Sequence, residues 1–589
     1  MIKDCLRLFQ NDLIKNTDAM VLENYLPKDG TYLLVKMENG DFFQQEPVEI
    51  HYNKKSGQIE GRSNTSYTYL QHIDYYSKLV EMNKPVDPRK IIHSNNYLSF
   101  FIKKESLTGQ KVTQDIIDGY YEVLKNPDKK YEKKKKSKEL YNYIEEEIGK
   151  PDVILLQQIQ EWIKQNLNTL IVDTERRDYL KIFFVLPEQE KTIRLYQQEG
   201  KRYLLPNIYN NNESNIENED GILYGLPNDN MGMNSKKPFL EHKSRRIKEP
   251  YLINLEEALL QSKFFDFLMG KASLGITHVY VDMKNDKFIF CESGEFAKDF
   301  EFGLFLKIQK GKEVEIHNFD TISKYDFNLK RIFDYKKILE IPEKNLKLQK
   351  LEYGTKNNFD DMEIMIDEVF FSKWLSNNYF TDPSDLSVKD GVVKYNLLKA
   401  RDGLNRWFYK GNKDGVDTLL QQISLPLVKN ALANGYELKA KHQLNLRWSL
   451  MDYFAENEDM EVRMKEIRKK LREHINCVED WEFESEDEYY YAAGQLAAFY
   501  LSKIRAGKRP QSFINPFLNA KKDEIIKKRL KELYKKVNHD LYMDSKNLRD
   551  RNLTCHVMGH TPEVKVNQEM LVCGFTDQPL VYEKKEEGK

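Results

Sequence analysis

Apolar positions along the chain follow two rhythms, which change near residue 355. Up to that point short β-branched or aromatic runs read as strands: Thr31–Val35, Tyr179–Leu186, Thr277–Val281 and Phe288–Phe290. Between them, Lys138–Glu147, Val153–Asn166 and Leu255–Met269 repeat apolar residues at three- and four-residue spacing, as one face of a helix requires. The N-terminal MIKDCLRLFQNDLIKN has the same amphipathic helical pattern, with charges where a signal peptide would have an apolar core. Two polar stretches, Lys125–Lys138 and Tyr209–Asp220, read as mobile surface loops too hydrophilic to be buried.

From about Asp360 onward strands almost vanish. Asp361–Asn378, Val393–Tyr409, Val416–Asn434, Leu438–Ala455, Met460–Ile475, Glu486–Arg505 and Lys522–Asp540 each read as amphipathic helices of several turns. Their stops are Asp382-Pro383 for the first, Gly435 for the third, and Gly507 with Pro510 for the sixth. The sixth opens with a predicted capping box, Ser485 and Glu488. It carries a seam of Ala493, Leu496, Ala497, Tyr500 and Ile504, whose small members allow close helix approach. The fold class expected is therefore α+β: a mixed α/β N-terminal region over 1–355, then an all-α helical-bundle domain over 356–589.

Composition narrows the function classes. The chain has 589 residues, enough for two to four domains, and its 92 Lys and Arg almost balance 93 Asp and Glu. That balance excludes a wrapper coated in positive charge, so any nucleic-acid contact must be local. Five widely spaced cysteines form no disulfide framework and suit a reducing compartment, and no apolar run approaches a membrane span; a cytoplasmic protein without membrane contact is expected.

Gly225–Arg246, GLPNDNMGMNSKKPFLEHKSRR, joins turn residues and carboxamides to a cationic run. Amides read base edges and cations hold phosphates, so Asn228, Asp229, Asn230, Asn234, Lys236 and Lys237 are the candidate DNA readers, with Lys243, Arg245 and Arg246 on phosphates. The same composition also fits an ordinary Asx-turn loop with solvated cations. A second basic feature lies between Lys503 and Arg551, with fifteen Lys or Arg against six Asp or Glu. Here Lys527, Lys528, Arg529, Lys531, Lys535 and Lys536 are phosphate-binding candidates, against the alternative of a solvated bundle face.

Catalytic and cofactor signals are weak. No Walker-type phosphate loop occurs, and no cofactor is expected. His539-Asp540 is the one dipeptide suggestive of a metal-dependent phosphohydrolase, without a partner pattern around it. Cys555, His556, His560 and Cys573 are zinc-ligand types, but only one Cys/His cluster is present and Cys573 sits in an apolar run, so it reads as core.

Four segments, in this order along the chain, resemble the large subunit of type I-B CRISPR surveillance complexes (Cascade). They are Lys84-Pro85 with Ile92-His93-Ser94-Asn95-Asn96-Tyr97-Leu98-Ser99-Phe100-Phe101-Ile102-Lys103-Lys104, the Gly225–Arg246 loop, Val369–Leu375, and Tyr489–Leu496. The resemblance implies a non-catalytic subunit that binds guide RNA and backbone subunits. It would recognise the short motif beside the target (the PAM) on duplex DNA, promote R-loop formation and support recruitment of a separate helicase-nuclease. It further implies that Asn95 and Asn96 belong to the domain gripping other subunits and the guide RNA, and that the C-terminal bundle resembles the small subunit. A small subunit translated internally would start at Met451, Met460 or Met464. Two readings from other classes stay open: a metal-dependent nuclease or phosphohydrolase, and a structural scaffold without DNA contact.

Overall fold

In a computed structural model, residues 2–53, 58–170, 173, 175–228, 251–311, 313–341, 353–455, 459–504, 513–541 and 548–583 are described. With 52% helix and 17% strand, the protein is α+β with a helical C-terminal part. It divides into two compact units, Met1–Glu292 with Gly303–Thr321, and Ser293–Phe302 with Ile322–Lys589. The division at about 322 lies ahead of residue 355, where the strand pattern fades.

The first unit is organised by β1 (Gly30–Glu38), β2 (Asp41–Gln44), β3 (Val48–Tyr52), β4 (Ile59–Glu60), β5 (Ser99–Lys103) and β6 (Tyr179–Val185), in the order β4-β3-β1-β6-β5 with β2 on β1. Among the described residues of this sheet only β1 and β6 run parallel, with Leu33 opposite Ile182 and Val35 opposite Phe184. Both are nearly buried throughout, as central strands covered on two faces must be. Helices Tyr67–Ser77, Gln114–Lys125 and Val153–Asn166 supply Leu70, Ile73, Tyr120, Tyr121, Leu156 and Ile159 to this core. Three short strands follow, β7 (Ile216–Glu217), β8 (Leu223–Gly225) and β9 (Ile253–Asn254). A sheet of β10 (Ile276–Asp282), β11 (Lys287–Glu292), β12 (Gly303–Lys310) and β13 (Val314–Ile322) comes next, ordered β11-β10-β12-β13.

Two expected loops are partly structured. Lys125–Lys138 contains the helix Pro127–Tyr131 and the first turn of Lys135–Ile148, because Tyr131 and Leu140 are buried and anchor an otherwise cationic stretch. Within Tyr209–Asp220, Tyr209, Asn212 and Asn215 are buried, and the Asn212 amide donates to Ser137 Oγ and to the Pro206 carbonyl. Polar residues enter a core when every donor finds an acceptor there.

The second unit holds the hairpin β14 (Asn328–Tyr335) and β15 (Gly354–Asn358) and a helical bundle. Its principal helices are Gly391–Lys410, Val416–Ala433, Glu437–Phe454, Met460–Asn476, Glu486–Lys503, Asp523–Val537, Leu548–Gly559 and Gln568–Thr576. Gly435 stands just beyond the Val416–Ala433 helix at φ 77°, a left-handed position that ends a helix without strain in glycine alone. The helix expected over Asp361–Asn378 is instead Phe359–Ile366 followed by a π-helical turn, Asp367–Phe371. It stops at Ser372 and Lys373, both left-handed (φ 54° and 68°), well ahead of Pro383.

Glu486–Lys503 is the central helix rather than an amphipathic one: Tyr489 through Ala493 are all fully buried, as are Leu496, Ala497 and Tyr500. Only half of its predicted capping box forms. Ser485 Oγ accepts from Glu488 N at 3.2 Å, but the buried Glu488 carboxylate takes Glu484 N at 3.0 Å and His474 Nδ1 at 2.6 Å instead of the Ser485 backbone. The last helix lies so close to it that a Cβ at Gly494 would meet Leu571 O at 2.2 Å, and one at Gly574 would meet Tyr491 O at 2.0 Å.

Candidate nucleic-acid interface

The helix Asp523–Val537 turns one face inward. Ile526, Leu530, Leu533 and Val537, three and four residues apart, are 0 to 4% exposed. The opposite face carries Lys528, Lys531 and Lys535, also three and four residues apart and exposed, so they form one outward stripe. Among the described residues none of these three is held in an ion pair. The other three candidates are partly committed. Lys527 is half-buried, donates to the His560 carbonyl and lies 3.4 Å from Asp523; Arg529 pairs with Glu532 at 2.6 Å; and the Lys536 ammonium sits 4.0 Å above the Phe513 ring. Five of the six candidates are exposed, whereas Lys527 snorkels along the bundle surface.

The reading loop divides at its root. Asn228 is fully buried: its backbone N–H donates to Ile208 O at 2.9 Å and its amide to Asn207 O at 3.2 Å. It anchors the segment and does not present its amide to a ligand, a correction to its place among the readers. Gly225 is likewise structural, since a Cβ there would strike Asn215 Oδ1 and the Tyr209 ring, each at 2.5 Å. Gly225 pairs with Ile253 and Tyr224 with Asn254, so both flanks are fastened in one small sheet. Asp229, Asn230, Asn234, Lys236, Lys237, Lys243, Arg245 and Arg246 lie outside the described residues.

Asn95 and Asn96, expected at a subunit or guide-RNA contact, face inward. Asn95 Nδ2 donates to Tyr76 O (2.7 Å) and Lys78 O (3.0 Å), while Asn96 Oδ1 accepts from Leu98 N and Ser99 Oγ at 2.9 and 3.2 Å. With 5% and 1% exposure they brace the entry to β5, and the amide pair is consumed by that task.

The Cys/His residues diverge. Cys573 is fully buried, and burial pushes its thiol well up; Cys555 is exposed on Leu548–Gly559. His556 stacks on Trp481 (centroids 3.8 Å apart) with Nε2 3.0 Å from Asp480 Oδ1, and His560 packs on Tyr489. His539 is exposed in the short turn Asn538–Asp540. Among the described residues, no three His, Cys, Asp or Glu gather as a metal site. A cleft in the first unit, bounded by Asp29, His51, Tyr52, Glu60, Arg176 and Asp178, mixes carboxylates with guanidinium and selects no single ligand charge.

Of the internal methionines, Met451 lies inside Glu437–Phe454, Met460 opens Met460–Asn476, and Met460 and Met464 are buried in the bundle core. A fragment starting at Met460 would lose Trp448, whose Nε1 donates to Glu569 Oε1 at 2.6 Å, and Arg447, which grips the same carboxylate at 2.9 and 2.8 Å. Glu569 would then be left without either partner, and the core without Leu444 and Trp448.

Compared with known proteins, the chain matches no family model, no curated protein and no solved structure. Among the described residues no helix is long and apolar enough to cross a membrane.

Proposed function

We propose that the protein is a non-catalytic nucleic-acid-binding subunit, acting as the large subunit of a type I-B CRISPR surveillance complex. In this reading it joins guide RNA and backbone subunits, recognises the PAM on duplex DNA, promotes R-loop formation, and supports recruitment of a separate helicase-nuclease. The order of the four resembling segments supports the assignment to that class. The observation that carries nucleic-acid binding is the outward stripe Lys528, Lys531 and Lys535, on a helix whose packing is already satisfied by Ile526, Leu530, Leu533 and Val537. Cations in that position hold phosphates without sequence preference, while the loop beyond Asn228 supplies the discrimination, at about 1–3 kcal/mol per well-read base pair. Guide pairing then reads the target's length through a nearly balanced strand exchange.

Two arms test this. Lys528→Glu, Lys531→Glu and Lys535→Glu together should weaken binding to all DNA sequences alike and flatten the salt dependence, by about 0.9 in slope for each phosphate no longer neutralised. Asn230→Ala with Asn234→Ala should abolish PAM-dependent binding while the guide-RNA complex still assembles. An unchanged salt slope in the first arm would leave the stripe merely solvated, and full PAM discrimination in the second would remove the loop from the mechanism. Asn228 is omitted because its replacement would report on the fold.

A further inference from the structure

The longest irregular connection described in the bundle unit runs from Ser372 to Asp390, between the π-helical turn and the helix Gly391–Lys410. Connections of this length without secondary structure are uncommon in compact domains, and π turns recur at functional positions. The strap is fastened by buried polar groups. Asp367, 4% exposed, accepts from Leu375 N and Ser376 N at 2.7 and 3.0 Å; Arg401 donates to Asn378 O and Thr381 O; and Lys394 reaches Leu386 O at 2.9 Å.

Its midpoint tie is different in kind. Glu363, 3% exposed, has one carboxyl oxygen 2.5 Å from the Tyr379 hydroxyl of the strap and the other 2.9 Å from the Tyr409 hydroxyl of Gly391–Lys410. The charged groups around it are carboxylates, Asp367 and Asp360, while Lys298 acts on Asp360 and Arg401 and Lys394 are spent on strap carbonyls. Among the described residues no cation is paired with Glu363. Burial, then the repulsion of Asp367 and Asp360, push its carboxyl up to about 7, against the two tyrosine hydrogen bonds, which pull it down.

We propose that the strap Ser372–Asp390 is a proton-linked latch, closed while Glu363 holds a proton and loosened when that proton leaves. Protonated, the carboxyl donates to one tyrosine oxygen and accepts from the other, so both ties persist without charge. Ionised, it accepts from both, but leaves an uncompensated charge in the interior beside Asp367. Relief comes through the side that can move. Tyr409 belongs to a long helix and is stacked on Phe296 at 4.8 Å, whereas Tyr379 is carried by the strap; its departure admits water to Glu363 and frees the chain around it.

Hydrogen exchange of the full-length chain tests the latch. Protection of residues 374–381, corrected for intrinsic exchange, should fall about tenfold between pH 6 and 8.5, nearly all of it below about pH 7.5, because opening gains nothing further once the closed form is itself ionised. Glu363→Gln should keep protection high and independent of pH, and Tyr379→Phe should leave the strap loose at both values. Equal protection of the wild type at pH 6 and 8.5, a pH dependence that survives Glu363→Gln, or wild-type behaviour in Tyr379→Phe would each overturn the proposal.

Discussion

Two buried carboxylates, Asp74 in the sheet unit and Glu363 in the bundle unit, are accommodated in opposite ways. Asp74 in the sheet unit is fully buried against Lys181 Nζ at 2.5 Å and the Tyr25 hydroxyl at 2.8 Å, while the same ammonium donates to the Tyr32 hydroxyl oxygen at 2.9 Å. Glu363 in the bundle unit is hydrogen-bonded to two tyrosine hydroxyls, and among the described residues no cation pairs with it. Burial lowers the Lys181 ammonium, against the pull of Asp74, whereas burial raises Glu363 against no more than two tyrosine hydrogen bonds among the described residues. A buried charge with a fitted partner is rigid and intolerant of losing it; one without a partner makes its unit sensitive to pH.

The sharpest way to break this contrast is Asp74→Ala. It strands the Lys181 ammonium and should cost the sheet unit about 3–5 kcal/mol in denaturant unfolding, with Asp74→Ala plus Lys181→Met recovering much of the loss. A small effect in the single variant would mean the pair contributes no more than a surface bridge.

Glu363→Gln should act in the other direction. The folded-state carboxyl near 7 lies above its unfolded value of 4.5, so the stability it contributes is complete below 4.5 and is lost as pH rises to 7. That loss amounts to about 3 kcal/mol, and the variant should be free of it, unfolding at higher denaturant than wild type at pH 8 but not at pH 4.5.

Packing alone is probed by Gly574→Ala or Gly494→Ala. Each forces a Cβ onto backbone of the facing helix and should cost the bundle about 1–3 kcal/mol without any change in its pH dependence. The smallest stability effect, within about 0.5 kcal/mol, is expected for charge reversal at Lys528, Lys531 and Lys535, because these side chains are exposed on the face turned away from the core; their effect should appear in DNA binding instead.

Periodicity was enough to locate most elements. Six of the seven C-terminal helices lie within a few residues of their expected ends, because an apolar stripe such as Ile526, Leu530, Leu533 and Val537 writes the helix directly into the spacing. The helices Leu548–Gly559 and Gln568–Thr576 were not legible as such: the first is too polar to show a stripe, and the second is apolar on most sides because it packs against Gly494. The cationic stripe of the candidate interface was readable for the same reason as the helix bearing it. The fates of Asn95, Asn96 and Asn228 were not, since an amide in a turn has the same local signature whether it serves a ligand or a neighbouring carbonyl.

What the amino-acid order determined by itself is local: which stretches are strands or helices, the change of rhythm toward the C-terminus, and the placement of charge on an exposed helix face. Tertiary structure alone decided the rest. It sent Ser293–Phe302 into the bundle unit, where Phe296 stacks on Tyr409 at 4.8 Å, and it joined the β14–β15 hairpin to the same unit through Tyr335, whose hydroxyl donates to His442 O at 3.0 Å. It also gave Asp74 a lysine 107 positions away and denied one to Glu363. Such pairings depend on which distant faces meet when apolar surface is buried, and no short-range periodicity encodes that meeting.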